Sequence, residues 1–202
     1  ALYHKKNAQD PLFYAQLTDT VNGHLHILFF AINDVTSPRF DIDRMPDGTL
    51  TYFGMQCRNI EAEVAAMRAG LAPAQIYRGL RMLPYSLENF ETFVKCLGHE
   101  VFFAEPLHYH NAVIFERYGL AYERGRKLIE RIHQGFAERG DLRERLDGST
   151  PFRSPAAAQS LRLRSWAVYD GILGHPFQDV MMYKLVGKQS RDDTCNHDEL
   201  IW

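Results

Sequence analysis

The sequence predicts an α/β (α+β) fold, in which antiparallel strands come first and helix, strand, helix and strand follow. Three observations predict it. Residues 12–53 contain strand-like apolar runs separated by turn residues, and residues 39–45 alternate as half-buried strands do. From Asn59 onward the apolar repeat changes to a helical period. Between two helical stretches, the short apolar run Val101–Ala104 has the length of a buried strand.

Composition limits the classes of protein to which the chain can belong. Its 202 residues, 46% of them hydrophobic and 24% charged, suit a globular protein with a real core. The net charge of −2 lacks the basic excess of nucleic-acid-binding proteins. No apolar run approaches the ~20 residues of a membrane span. Three cysteines without CxxC spacing indicate reduced thiols. We therefore expect a cytoplasmic protein with neither nucleic-acid nor membrane partners.

The first quarter of the chain is predicted to form a four-stranded antiparallel meander. Strand-like runs at residues 12–21 and 24–33 flank Asn22-Gly23, a pair that suits a type I′ hairpin turn. Residues 39–45 and 50–53 would add two more strands around a turn at Pro46-Asp47-Gly48. Alternation in the second run would place one set of side chains on a common face, namely His24, His26, Leu28, Phe30 and Ile32.

Two helical stretches are predicted after the meander. Asn59 suits the N-cap of a first helix that Gly70 would close. A second helical stretch begins near Pro73 and meets Pro84, which should break or kink it. An apolar stripe then continues from Leu83 to the glycine at position 98.

The strand Val101–Ala104 and the residues that follow it form the predicted functional elbow. Pro106 ends regular strand pairing because it has no N–H to donate. His108 and His110 follow, and a helix is predicted from residue 112 to the glycine at 119. Ligands of α/β proteins gather at the carboxyl ends of strands, so this elbow is the expected binding site.

The remaining chain is predicted to be mainly helical, with one closing strand. Helices are expected over residues 122–139, 141–146 and 156–163, and a strand over residues 178–186. The domain organisation predicted is a single domain over residues 1–187, with a helical elaboration at 123–176, followed by a polar and loosely held tail at 188–202. The arginine-rich part of the elaboration is interpreted as a solvated helix face.

Three segments resemble the GNAT acyltransferase superfamily. The stretch from Gln75, read QIYRGLRML, resembles the family's acyl-CoA pyrophosphate loop, Q/R-x-x-G-x-G/A. Residues 111–120 end in FERYGL and resemble the family's YExxGF helix ending, and residues 177–185 are similar to its closing strand. The resemblance implies a GNAT-like mixed sheet in which strand 101–105 splays from its neighbour and leaves a V-shaped cleft. It also implies acyl-CoA-dependent N-acyl transfer to a small-molecule amine, with a homodimer left open.

The resemblance assigns the pyrophosphate of acetyl-CoA, or of another acyl-CoA, to Tyr77, Arg78, Gly79, Leu80 and Arg81. A glycine at a helix start lets the backbone approach a phosphate, and free N–H groups with the helix dipole hold the charge. Arg81 departs from the motif because it occupies the position at which the motif has its second small residue, Gly or Ala. An ordinary helix over residues 73–83 is the alternative interpretation.

The family's tyrosine general acid falls on Phe115, which has no proton to give. A different group must then protonate the departing thiolate, and the nearest candidates are Glu105, His108 and His110. Histidine titrates near neutral pH and suits either role. If these are inert elbow residues, the chain is instead a catalytically inactive GNAT-fold protein that binds a ligand or partner.

A third hypothesis is a metal-dependent protein built on two His-x-His pairs. His24 and His26, together with His108 and His110, would converge on a transition metal with Glu105 as a fifth ligand if their strands were neighbours. Packing within the core or at a strand edge is the alternative for these side chains. For the acyltransferase hypothesis no metal is expected.

Overall fold

A computed structural model describes residues 1–20, 23–195 and 200–202. The strands are β1 (Phe13–Asp19), β2 (Leu25–Ile32), β3 (Val101–Ala104), β4 (Ala121–Arg124) and β5 (Met181–Leu185). The helices are α1 (Ile60–Arg68), α2 (Leu83–Cys96), α3 (Tyr109–Arg117), α4 (Arg126–Phe136), α5 (Asp141–Glu144) and α6 (Leu161–Tyr169), with a 3₁₀ turn at Pro155–Ala158. Among the described residues, none of the helices combines the length and apolar content that a membrane crossing requires.

The strands form one five-stranded mixed sheet in the order β1-β2-β3-β5-β4. Neighbouring strands are antiparallel except for β2 and β3, which are parallel. A parallel pair needs a long crossover, and the segment that contains α1 and α2 provides it. The closing strand β5 lies between β3 and β4. The mixed sheet and its helices confirm the predicted α/β class.

The hairpin of β1 and β2 forms as predicted, although Asn22 and therefore the predicted turn type lie outside the described residues. Gln16 pairs with Phe29 and Leu17 with Ile27, so that Leu28 is an extra residue on β2. A bulge of this kind changes which face the following residues occupy. The predicted common face of the second strand is therefore wrong: Phe30 joins Ile27 in lining a cavity beneath α2.

The other half of the predicted meander is wrong. The turn forms, with the Gly48 N–H donating to the Met45 carbonyl oxygen at 2.9 Å, but its flanks share only an isolated bridge between Arg44 and Leu50. The alternating apolar side chains of this segment, including the buried Ile42, pack with the side chains of α1. The segment covers a helix, so it does not extend the sheet.

Helix α1 matches the prediction, and the Asn59 side chain accepts the Ala62 N–H as its N-cap. The helix predicted from Pro73 is wrong, because residues 73–82 form an irregular loop that is hydrogen-bonded beside β2. In this loop the Arg78 carbonyl oxygen accepts the Asp34 N–H at 2.8 Å. Pro84 therefore does not kink a helix but lies in the first turn of α2, where its missing N–H costs nothing.

The chain after α2 follows the predicted order of strand, elbow and helix. Strand β3 has the predicted bounds, and α3 begins three residues before the predicted position, so that His108 is its N-cap. The start of the next predicted helix is wrong, because residues 121–124 form β4. Gly125, with φ +87°, separates β4 from α4. A Cβ atom at Gly125 would lie 2.8 Å from the Val180 Cα atom, so only glycine permits this approach.

The polar C-terminal segment is packed against the domain, contrary to the expected loose tail. Glu116, 2% exposed, accepts hydrogen bonds from the Tyr122 hydroxyl at 2.5 Å and the Thr194 hydroxyl at 2.8 Å. The Ile201 carbonyl oxygen accepts the Leu161 N–H at 2.8 Å. These contacts hold the described parts of the tail on α3 and α6.

The Arg58 guanidinium joins α1 to the elaboration at residues 123–176. It donates to Glu63 at 2.5 Å and to Asp170 at 3.1 Å, and it lies over the rings of Phe152 and Tyr169 at 5.1 and 4.7 Å. Glu63 is only 2% exposed. Removing the cation would leave two largely buried carboxylates without their shared partner, which is costly.

We expect Arg58→Met to lower the free energy of unfolding by about 3 kcal/mol or more, because a buried ion pair loses one member. Urea denaturation followed by circular dichroism measures the change. The control is Arg68→Met, which removes an exposed arginine at the end of α1 and should alter stability by less than about 0.5 kcal/mol. Equal stabilities for the two variants would contradict this account of Arg58.

Candidate functional site

A cleft opens where β2 and β3 part. The two strands pair only at Leu25–Phe102, His26–Phe103 and Ile27–Ala104. The Glu105 N–H makes the last contact, at 3.4 Å from the Ile27 carbonyl oxygen. Beyond it β2 continues to Ile32 while the chain turns away at Pro106. The space between them is a cleft of about 1050 Å³.

One wall of the cleft is the loop before α2. All five residues of the predicted pyrophosphate loop line it, namely Tyr77, Arg78, Gly79, Leu80 and Arg81. The loop is fixed from both sides, since Gly79 bridges to Asn33 and the Tyr77 hydroxyl donates to Asp10 at 3.0 Å. Helix α2 begins beside the loop without a side-chain N-cap. Its first-turn N–H groups and its dipole therefore favour an anion at this wall.

Arg81 has an unusual backbone conformation on this wall. Its φ of +57° lies in the left-handed region, which L-residues other than Asn and Asp seldom adopt. Glycine would adopt this conformation without strain. Arg81 thus has a strained backbone, and its exposed guanidinium lies beside a helix start that has no side-chain N-cap. The backbone of Arg81 therefore has a conformation that suits the small residue of the motif at this position, although the arginine side chain departs from the motif.

The opposite wall is the elbow after β3. Glu105, His108 and His110 all line the cleft, so the structure brings the predicted proton-transfer candidates to the same cavity as the predicted phosphate loop. Glu105 is exposed. The two imidazole rings are nearly parallel, with 5.8 Å between centroids and an interplanar angle of 11°. The edge-on rings of Tyr169 and Trp202 flank His108 and His110 respectively, with centroid distances of 5.4 and 6.1 Å.

A serine of the inserted helix α6 determines the proton position on His110. Ser165 is 1% exposed, and its Oγ accepts the His110 backbone N–H at 3.4 Å and lies 2.8 Å from Nδ1. A buried hydroxyl proton needs an acceptor, and Nδ1 is the one that the described residues provide. We infer that Nδ1 accepts this proton, so that Nε2 carries the ring hydrogen as a donor.

Burial keeps both histidines neutral. It lowers the pKa of His108 to about 4. Burial and the neighbouring His108 ring lower the pKa of His110 well below its ordinary value. At neutral pH, His108 is therefore an imidazole that can accept a proton from a bound substrate.

Phe115 lies on α3, also lines the cleft and is 7% exposed. Its ring contributes an apolar surface at the position where the GNAT resemblance would place a hydroxyl. Tyr118, one turn further along, lines the same cleft. Phe115 itself therefore supplies no acid or base function.

The predicted convergence of the four histidines on a metal is wrong. The His24 ring packs against Phe103, with 5.6 Å between centroids, whereas His108 and His110 lie at the start of α3. The part of the chain that the structure describes has no group of three or more His, Cys, Asp or Glu side chains that could hold a metal ion.

Sequence reasoning missed three residues of this site, namely Ser165, Tyr169 and Trp202. Ser165 and Tyr169 come from α6, and Trp202 comes from the segment expected to be loose. Ser165 and His110 are 55 positions apart, so no local pattern signals their contact.

Comparison of the chain with models of protein families, with curated proteins and with solved structures finds no match. The site is therefore interpreted from its own geometry.

The lowered pKa of His108 predicts a pH dependence of stability. Between pH 6.5, the ordinary histidine pKa, and about 4, the unfolded chain binds a proton that the folded chain does not. The free energy of unfolding should thus fall as pH decreases through this window, by at most about 1.4 kcal/mol per pH unit for this group. Urea denaturation of His108→Gln should show a shallower slope. The exposed His175→Gln is the control, and identical slopes for all three proteins would contradict the prediction.

Proposed function

We propose that the chain is an acyl-CoA-dependent N-acyltransferase with a GNAT-like core, which transfers an acyl group from a thioester to a small amine. One observation carries the proposal: the cleft between the parting strands β2 and β3 has two exposed arginines and the start of α2 on one side and neutral histidines on the other. The parallel strand pair within an otherwise antiparallel sheet supports the GNAT-like core.

The loop and the start of α2 would hold the pyrophosphate. In the first turn of α2, where Pro84 has no N–H and the Ser86 N–H donates to the Met82 carbonyl oxygen, the N–H groups of Leu83 and Tyr85 would donate to the phosphate at the positive dipole end. Arg81 and Arg78, both exposed on this wall, add charge-assisted hydrogen bonds to phosphate oxygens. The left-handed backbone at Arg81 is a strain that phosphate binding would justify.

The edge of β2 beyond Ile27 would hold the pantetheine arm. This edge has no β3 residue opposite it after the Ile27–Ala104 pair. An extended ligand with amide groups can hydrogen-bond to such an edge as an added strand does. The arm would run from the α2 end of the cleft towards the elbow, which brings the thioester to His108 and His110.

The two histidines then have different roles in acyl transfer. As the amine nitrogen attacks the thioester carbonyl carbon, the neutral His108 accepts the proton that the nitrogen loses. The Nε2–H of His110 donates a hydrogen bond to the developing oxyanion. When the C–S bond breaks, the protonated His108 returns its proton to the thiolate. The low imidazole pKa makes the protonated His108 a strong acid for this second transfer and the neutral His108 a correspondingly weak base for the first.

The second candidate function is a GNAT-shaped protein that binds a ligand without catalysis. Phe115 favours it, because the apolar ring stands in the place of the expected tyrosine acid. Both candidates require the cleft to bind an acyl-CoA, and turnover separates them.

We expect acetyl-CoA at about a hundredfold excess over its Kd to raise the melting temperature by roughly 5–10 °C. Arg81→Gly should weaken binding about tenfold, because charge-assisted hydrogen bonds to phosphate are lost. Arg139→Gly is a matched control, since Arg139 is also exposed with a positive φ of +62° but does not line the cleft. Differential scanning fluorimetry and isothermal titration calorimetry measure both effects. An unchanged melting temperature at millimolar acetyl-CoA would rule out the proposal.

We expect His108→Gln to lower kcat for amine acylation by about a hundredfold or more while the Kd for acetyl-CoA changes little, because the base is lost but the binding walls remain. Release of free thiol from acetyl-CoA with a panel of amines measures turnover. His175→Gln should behave as the unaltered protein does. Acetyl-CoA binding without turnover on any amine would favour the second candidate function.

A further inference from the structure

A small apolar cavity adjoins the cleft beneath α2. Its volume is about 60 Å³, and among the described residues that line it all but Ser86 carry apolar side chains. The cavity and the cleft share five wall residues, namely Ile27, Phe30, Leu83, Ala104 and Phe115. The shared wall includes Ile27 and Ala104, the last pair before β2 and β3 separate.

We propose that this cavity holds the alkyl chain of the transferred acyl group, and that the natural donor is a short- to medium-chain acyl-CoA of about four to six carbon atoms. This inference rests on the proposed acyl transfer and names its donor class. A thioester bound beside the elbow has its acyl carbon next to the shared wall. An acyl chain that extends away from His108 and His110 would pass between the side chains shared by the two spaces and enter the cavity.

The volume sets the chain length. A cavity needs about 10–15 Å³ on this measure to admit one water-sized group, so a space of about 60 Å³ admits a short chain of a few such groups. A methylene group is about as large as a water molecule. An acetyl group would leave most of the space empty, and a chain of twelve carbons would not fit.

The lining residues of the cavity determine which kind of acyl group can bind in it. With Ser86 as the single polar side chain among the described lining residues, the cavity offers almost no hydrogen bonds to water or to a polar acyl group. Apolar cavities take up apolar ligands. Each methylene that moves from water into such a site tightens binding by about fourfold.

Phe115 fits this occupant better than tyrosine would. Its ring lines both the cleft and the apolar cavity. A hydroxyl at this position would be buried against an alkyl chain and would lose its hydrogen bonds to water, which is costly. An alkyl chain in the cavity thus explains why phenylalanine stands at the position where the family has tyrosine.

A chain-length series of acyl-CoA esters tests the inference. Acetyl-, butyryl-, hexanoyl- and dodecanoyl-CoA are titrated into the protein by isothermal titration calorimetry. We expect affinity to rise about fourfold per added methylene up to four to six carbons, with no further gain for dodecanoyl-CoA.

Variants that fill the cavity provide the control. Ala15 lines the cavity and not the cleft, so Ala15→Leu should abolish the gain for hexanoyl-CoA and leave the Kd for acetyl-CoA within about twofold. Gln16→Leu adds the same side chain to the next residue of β1, which lines neither space, and should keep the gain. If Ala15→Leu does not fold, Ser86→Leu fills the cavity from α2.

The possible outcomes separate this inference from the proposed function. Equal affinities for acetyl-, butyryl- and hexanoyl-CoA would overturn the inference and leave acyl-CoA binding intact. A gain for hexanoyl-CoA that survives in a folded variant with the cavity filled would also overturn it. If no acyl-CoA binds, the proposed function fails together with the inference.

Discussion

Past Ile27, strand β2 continues without β3 beside it, and both walls of the cleft depend on that separation. Two local features produce it. The extra residue Leu28 bends β2, and Pro106 removes an N–H that further pairing would need. Because β2 keeps its pairing with β1 on the other edge, it stays part of the sheet on both sides of the bulge, while its edge past Ile27 is not paired with β3. The separation therefore leaves the cleft open between the two strands.

Helix α6, which belongs to the elaboration after β4, packs against the elbow. Helix α6 contributes Ser165 to His110 and Tyr169 to His108, and the Trp166 indole N–H donates to the Leu71 carbonyl oxygen at 2.8 Å. The Arg58 network links the same helix to α1. A histidine pair at the start of a helix would otherwise be free to change rotamer. Here ring packing holds His108, and ring packing together with the hydrogen bond to Ser165 holds His110.

The elements with strong periodicity could be predicted from the sequence, and those that depend on distant partners could not. Strand β3 and helix α1 have a clear apolar pattern with proline, asparagine or glycine at their ends. Residues 39–53 alternate as a strand does, but their apolar side chains cover α1. Strand β4 has four residues whose partner, β5, comes much later in the chain. The candidate site was predictable in its elbow and its loop, because each is a local motif. The left-handed backbone of Arg81 and the Ser165–His110 contact arise only in the folded chain.

The parallel pairing of β2 with β3 also has a consequence for the order of folding. The hairpin of β1 and β2 joins neighbouring segments, so its formation loses little chain entropy. Strand β3 can join β2 only after the whole crossover has been made, and β5 must then enter between β3 and β4. Contacts between distant segments form slowly. We expect the cleft to be among the last parts of the molecule to assemble, which exposes the apolar edge of β3 to other chains until β5 has docked.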